Sequence, residues 1–227
     1  MTDKHDDAAT DLLIKEVDED LRQEELNKLW KKHGGLIAGI AVLIVVAVAG
    51  WQGWQGWQAK QRQAASLRYA ETSVLIEQGK KDEAVEVLGK LSADSPKGYR
   101  LLADMRAADL RQQAGDFIAA AALYQKIAAD SSVDKVYRDM ATIRAAYLTL
   151  DSADPAALDK LVEPLAVESS SWRHSAREIQ ALTALKRGDA ARAADLFGKV
   201  AEDAAAPQGL RTRAAEMLAA TGQRARS

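Results

Sequence analysis

The side chains best suited to nucleophilic, redox or metal chemistry are scarce in this chain. Its 227 residues include no cysteine, which rules out disulfides, a thiolate nucleophile and cysteine-ligated metal. The three histidines, His5, His33 and His174, lie far apart, and no two have the short spacing with which a pair grips a metal. None has a serine or threonine placed as a nucleophile for it to activate. No glycine-rich loop follows a strand pattern, so a phosphate cradle has no scaffold. Carboxylates are plentiful but spread along polar faces; neighbours such as Asp82 and Glu83 read as solvated surface. The expectation is no catalytic, cofactor-binding or metal-binding site and no small-molecule substrate. With 31 Lys and Arg against 33 Asp and Glu, the formal charge is −2. A nucleic-acid binder needs a clear basic excess, so nucleic acid is not an expected partner.

What remains is a surface that binds other molecules, and a periodic element that could build it. Beyond residue 58 the chain is alanine-rich with helical periodicity, and small turn residues recur at 36- to 37-residue intervals: Gly79, Gly115, Ser152 and Gly188. Five, nine and twelve positions after each anchor stand Ala84, Leu88 and Leu91; Ala120, Tyr124 and Ile127; Ala157, Leu161 and Pro164; and Ala193, Phe197 and Val200. Seven positions before each anchor stand the small residues Thr72, Ala108, Ala145 and Ala181, which two helices need where they cross closely. The pattern predicts helix pairs over 62–78 and 81–93, 97–114 and 116–130, 135–150 and 155–167, and 172–187 and 189–204. A final helix, 208–221, covers the exposed end.

This spacing resembles the tetratricopeptide repeat, and the Gly-Asp-Phe of Gly115 to Phe117 looks like that family's turn. The repeats are degenerate. Leucine fills the ninth position twice, Ser152 follows Asp151 where a turn glycine is usual, and a generic all-α bundle is the alternative. By analogy with the family, the first helix of each pair lines the concave face. The candidate partner-binding residues there are Tyr69, Ile76, Met105, Asp109, Gln112, Thr142, Glu178 and Leu182. Their mix of polar and apolar groups suits protein or peptide contact.

The first 57 residues are a different polypeptide, with 6 basic and 10 acidic side chains. Leu36 to Gly50 carries no polar side chain, and the twenty residues from Gly35 to Trp54 hold only Gln52. Twenty helical residues span roughly 30 Å, the thickness of a bilayer's hydrocarbon core. Nine are Leu, Ile or Val, together worth about −3 to −5 kcal/mol on the insertion scale. Trp30, Trp51, Trp54 and Trp57 flank the stretch as interface anchors, as do Lys31 and Lys32. Lys28, Lys31 and Lys32 outnumber Lys60 and Arg62, which favours a cytoplasmic N-terminus. Ala47-Val48-Ala49 before Gly50 also fits a signal-peptidase site, so cleavage after Ala49 is the alternative. The long acidic segment ahead of the apolar run is unlike the start of a signal peptide. Within that segment, residues 1–11 read as disordered, and Leu12 to Lys32 as an amphipathic helix. Leu13, Val17, Leu21, Leu26 and Leu29 form its stripe opposite Asp18, Glu19, Asp20, Glu24 and Glu25, a surface that favours a protein partner over an anionic leaflet.

The expected organisation is a cytoplasmic arm (1–33), a transmembrane helix (34–57) and a periplasmic repeat domain (58–227). The fold is all-α: one membrane helix, then an α-solenoid of about four degenerate helix pairs and a cap. The whole arrangement resembles the ancillary SecYEG translocon subunit family, the YfgM-like proteins. The likeness rests on Glu16 to Gly34 (EVDEDLRQEELNKLWKKHG), the single span after it, the Trp/Gln run from Trp51 to Gln58, and the repeats. It implies a single-pass protein of the bacterial inner membrane that associates with Sec translocon subunits and a membrane-anchored periplasmic chaperone, and has no catalytic residues. The implied role is to link exported proteins to periplasmic folding factors. An envelope-assembly or division scaffold, or a regulator acting through the cytoplasmic arm, are the alternatives.

Overall fold

Alanine-rich segments punctuated by glycine favour helices, and helices are what form; among the described residues there is no strand. The computed structural model describes the backbone of residues 3–222 and the side chains of Lys28 and residues 30–222. The first helix, α1, runs from Asp3 to Glu77. The tail expected to be disordered is therefore helical from Asp3. No proline or glycine interrupts the chain from there to Gly34. The apolar stripe and acidic face expected between Leu12 and Leu29 lie outside the described side chains, apart from Lys28.

The chain divides into two units, 1–60 and 61–227. In the first, the apolar stretch has no protein cover. Leu36 is 64% exposed and Val45 66%. Among the described residues this is the one helix long and apolar enough to cross a membrane. Trp30, Lys31, Lys32, Trp51, Trp54 and Trp57 are all exposed, and the Trp51 and Trp54 rings lie 5.5 Å apart.

In the second unit the last part of α1 is followed by α2 (Lys81–Asp94), α3 (Lys97–Gln113), α4 (Phe117–Ala129) and α5 (Lys135–Leu148). Then come α6 (Pro155–Val162), α7 (Arg173–Lys186), α8 (Ala190–Ala201) and α9 (Gln208–Ala220). A single 3-10 turn, Glu163–Leu165, extends α6. Gly79, Gly115 and Gly188 sit at φ of 77–79°, where a Cβ is strained. Each closes a helix in the same way. The Gly115 N–H donates to the Gln112 carbonyl (3.0 Å), and the next N–H, of Asp116, reaches back to Arg111 (2.9 Å). Asp116 and Asp189 then cap the following helix, their side chains accepting from the Ala119 and Arg192 N–H groups. One aspartate thus ends one helix and starts the next.

The core is a string of four clusters, each built from a first helix, its second helix and the next first helix. Ala65, Leu88 and Ala103 meet in one, and Ala108, Tyr124 and Ala141 in the next. Ile143, Val162 and Ile179 form the third; Ala181, Phe197 and Ala214 form the last. The ninth-position residues Leu88, Tyr124 and Phe197 are at most 1% exposed, as expected from their spacing.

The third repeat departs from its expected register. Leu161 is 42% exposed, and Ala157 and Pro164 are also at the surface. The buried set is Leu158, Val162 and Leu165, one residue later, so the equivalent of the turn glycine is Ala153. The shift applies to the first helix as well: Ala103, Ala141 and Ala176 then share one position and Ala108, Ala146 and Ala181 another, all fully buried. Without glycine the turn does not take the left-handed route. It passes through Thr149, whose carbonyl accepts from Ala153 N–H (2.9 Å), and Asp154 caps α6 through the Ala157 N–H. At the far end α9 is followed by Gly222 at φ +70°, whose N–H donates to the Ala219 carbonyl (3.2 Å) as the glycines after the first helices donate three residues back.

Gly115→Ala should destabilise the repeat unit by about 1–2 kcal/mol, the strain of a left-handed residue with a Cβ. Ala153→Gly should gain no comparable amount, because its turn does not use that conformation. Urea denaturation followed by circular dichroism checks both; equal effects at the two turns would refute the distinction.

Candidate partner-binding surface

The eight residues expected on the concave face fall into three groups. Tyr69 and Ile76 on α1 are half-buried against the Leu88 cluster, and the Tyr69 ring lies 6.4 Å from that of Tyr99. On α3, Met105 packs beside the Tyr124 cluster, while Gln112 is exposed. Asp109 is half-buried and accepts from the Tyr124 hydroxyl (2.7 Å). Arg144 of α5 closes this set, 3.5 Å from Asp109 with its guanidinium 5.7 Å from the Tyr124 ring centre. Burial and the Asp109 carboxylate push the Tyr124 hydroxyl up to about 12. These five residues lie on neighbouring first helices.

The other three are placed differently. Thr142 is half-buried and its hydroxyl donates to the Arg138 carbonyl (3.0 Å); the register shift gives its repeat position to Ile143, which is 3% exposed. Glu178 is 4% exposed and held within the chain. It accepts from the Tyr147 hydroxyl and from Arg213 of α9, at 3.0 Å from Nε and 3.1 Å from Nη2. Leu182 is half-buried against the Phe197 cluster. The corrected positions in the third repeat include Tyr147 and Leu150, both partly buried beside the Val162 cluster.

Ion pairs between helices tie the layers together. Lys126 bonds buried Asp104 (2.9 Å) and Ser92 (2.7 Å). Arg192 reaches both oxygens of Asp159, at 2.8 and 3.0 Å. One recurring pair escaped the spacing argument. Fifteen positions after the corrected anchors stand Asp94, Asp130, Glu168 and Asp203; fifteen before them stand Arg100, Arg138 and Arg173. Asp130 and Asp203 each accept an N–H two residues on (2.8 Å), closing the loop after the second helix. Asp203 also lies 3.4 Å from Arg173 and 2.7 Å from Nε2 of buried His174. This acid-and-arginine signal is in the sequence, but only the corrected third anchor aligns it. Of the histidines, His174 is therefore a packing and hydrogen-bonding residue. Among the described residues no group of three His, Cys, Asp or Glu could hold a metal.

The His174 bond holds the Asp203 carboxyl well below its ordinary value, at about 2 instead of 3.8. A depressed carboxyl contributes stability that is complete above its unfolded value and lost as pH falls toward the folded one. The thermal midpoint should therefore drop between about pH 4 and pH 2, and Asp203→Asn should flatten that part of the curve while lowering the midpoint at pH 7. A variant with the wild-type profile below pH 4 would show that the bond does not contribute.

No curated protein and no solved structure matches this chain. Residues 27–217 match the family described as "Tetratricopeptide repeat-like domain". The chain is a member of the tetratricopeptide repeat-like domain family, whose repeats typically serve as non-catalytic scaffolds for protein–protein interaction.

Proposed function

We propose that the protein is a membrane-anchored scaffold at the Sec translocon that links newly exported proteins to a membrane-anchored periplasmic chaperone. The observation that carries the reading is the pairing of an uncovered apolar helix with a repeat unit of protein-binding type in one chain. A bilayer gives Leu36 to Gly50 the apolar surroundings that the protein does not supply. The excess of Lys28, Lys31 and Lys32 over Lys60 and Arg62 orients the arm (1–33) to the cytoplasm and the repeats (58–227) to the periplasm of a bacterial inner membrane. Tethering confines the repeat surface near its partners, so a weak contact suffices at high effective concentration. The choice of translocon and chaperone as partners comes from the likeness of Glu16 to Gly34 and the following span to the YfgM-like proteins.

Affinity purification of the full-length protein from gently solubilised membranes, read by mass spectrometry, should recover translocon subunits together with a periplasmic chaperone. Combined Tyr69→Ala and Met105→Ala should lower chaperone recovery several-fold and leave membrane insertion unchanged. Recovery of wall-synthesis or outer-membrane assembly proteins without translocon subunits would overturn the export reading. Loss of function on deleting 1–27, with periplasmic partners retained, would favour a regulator.

A further inference from the structure

The first helices carry an arginine–acid ladder with one rung incomplete. Arg144 and Arg213 both stand nine positions before the residue that closes their helix, Ala153 and Gly222. Each meets an acid on the preceding first helix: Arg144 meets Asp109, six positions before Gly115, and Arg213 meets Glu178, ten before Gly188. Nine positions before Gly188 on α7 stands Ile179, and the two corresponding places on α5 hold Tyr147 and Ile143, so these places hold neither arginine nor acid. Arg106 stands nine positions before Gly115 on α3. The places facing it on α1 hold Tyr69 and Ser73, and where Arg144 has the Tyr124 ring Arg106 has the position of Leu88. Among the described residues Arg106 makes no hydrogen bond or ion pair, although it is half-buried.

The acids of α1 after residue 60 are Glu71 and Glu77, and neither forms an ion pair with it. Together α3 and α5 carry seven basic and three acidic residues. All three acids are taken within the chain: Asp104 by Lys126, Asp109 by Tyr124 and Arg144, and Asp139 by Lys135. Beside Arg106 the surface is apolar. Leu102, one turn earlier, is 45% exposed, and Met105 and Tyr69 are half-buried. We propose that this end of the repeat face binds an acidic segment of a partner protein, whose carboxylate completes the rung at Arg106 while an adjoining aliphatic side chain covers Leu102 and Tyr69. The inference rests on the scaffold reading and names the chemistry of its ligand. A guanidinium in a partly dry groove favours a carboxylate over an amide of the same shape, since the charge-assisted bond is about twice as strong.

The test uses the full-length protein in nanodiscs, with two fluorescein-labelled peptides as probes: a short repeat of Glu-Leu-Gly-Ser and its Gln-Leu-Gly-Ser twin. Fluorescence anisotropy should show the glutamate peptide binding roughly tenfold or more tightly than its twin, the scale of one charge-assisted hydrogen bond. Arg106→Gln should remove that preference. Ser73→Asp, which supplies the missing acid from within as Asp109 does for Arg144, should also remove it and hold the thermal midpoint at or above wild type. Equal binding of the two peptides to wild type, or an undiminished preference in both variants, would overturn the proposal. Glutamate-specific binding that appears only after deletion of residues 1–27 would identify the chain's own acidic arm as the occupant and equally overturn it. Failure of both peptides to bind, with specific partners still recovered from membranes, would reject the acidic ligand and leave the scaffold reading intact. Failure of both tests would reject both.

Discussion

The repeat unit depends on one steric constraint: the first helices α3, α5 and α7 are each packed on two sides at once. The α3 helix lends Ala103, Ala107 and Leu110 to the cluster before it and Ala108 to the cluster after it. The α7 helix divides Ala176 and Ile179 from Ala181 and Ala184 in the same way. A helix with large side chains on both faces would hold its neighbours too far apart for both clusters to close, since interiors pack to crystal-like density. Alanine at the shared positions lets backbones approach, and bulk is supplied from the second helices by Leu88, Tyr124, Val162 and Phe197. Stability is then a sum of neighbour contacts. The terminal helix α9 buries Ala214 and Leu218 and ends the series with no second helix after it among the described residues.

The glycines set where each helix ends, and so decide which residues meet these shared positions. The left-handed conformation at Gly79, Gly115 and Gly188 makes their turns uniform, which is why the spacing of these three anchors correctly located the buried residues of their repeats. The third turn has no such marker. Periodicity predicted that α5 and α6 exist, and the structure has them, but one small residue in Asp151–Ser152–Ala153 is as good a candidate as the next. A one-residue error there transfers the buried role from Leu158 to Ala157 and the exposed role from Ala157 to Leu158. The same error gives Thr142 the repeat position that belongs to Ile143.

Apolar positions were more legible than polar ones for a physical reason. A leucine's burial follows from its place in the helical period, which is local. A carboxylate's fate depends on a partner one repeat away, and Glu178 with Arg213 is the instance. Asp109 and Glu178 look alike in the pattern of the first helices, yet one is half-buried beside Tyr124 and the other is enclosed by Tyr147 and Arg213. Burial pushes the Tyr147 hydroxyl upward in pKa, with the Glu178 carboxylate adding to it. That proton stays on the hydroxyl and fixes it as a donor, which makes Glu178 a structural acceptor unavailable to a ligand.

This contrast separates the parts of the inner face that hold the fold from those that can serve a partner. A buried charge left without its counter-charge destabilises by several kcal/mol, so buried acids such as Asp104 and Glu178 are matched from within. A half-buried charge with access to water tolerates having no partner, because solvent supplies part of what a counter-charge would. The end of the face nearest α1 has the second character. Its apolar side chains Tyr69, Leu102 and Met105 remain partly open, and the helix before it contributes Ser73 where the later repeats contribute Asp109, Tyr147 and Leu182. Repetition also makes the difference visible, since Arg144 and Arg213 show how the same position is satisfied when the chain provides the partner itself. In a solenoid stabilised by neighbours, leaving one such position open costs little in stability, because only one boundary is affected. An unfilled rung at the terminal boundary is therefore the least costly place for the fold to present charge to another protein.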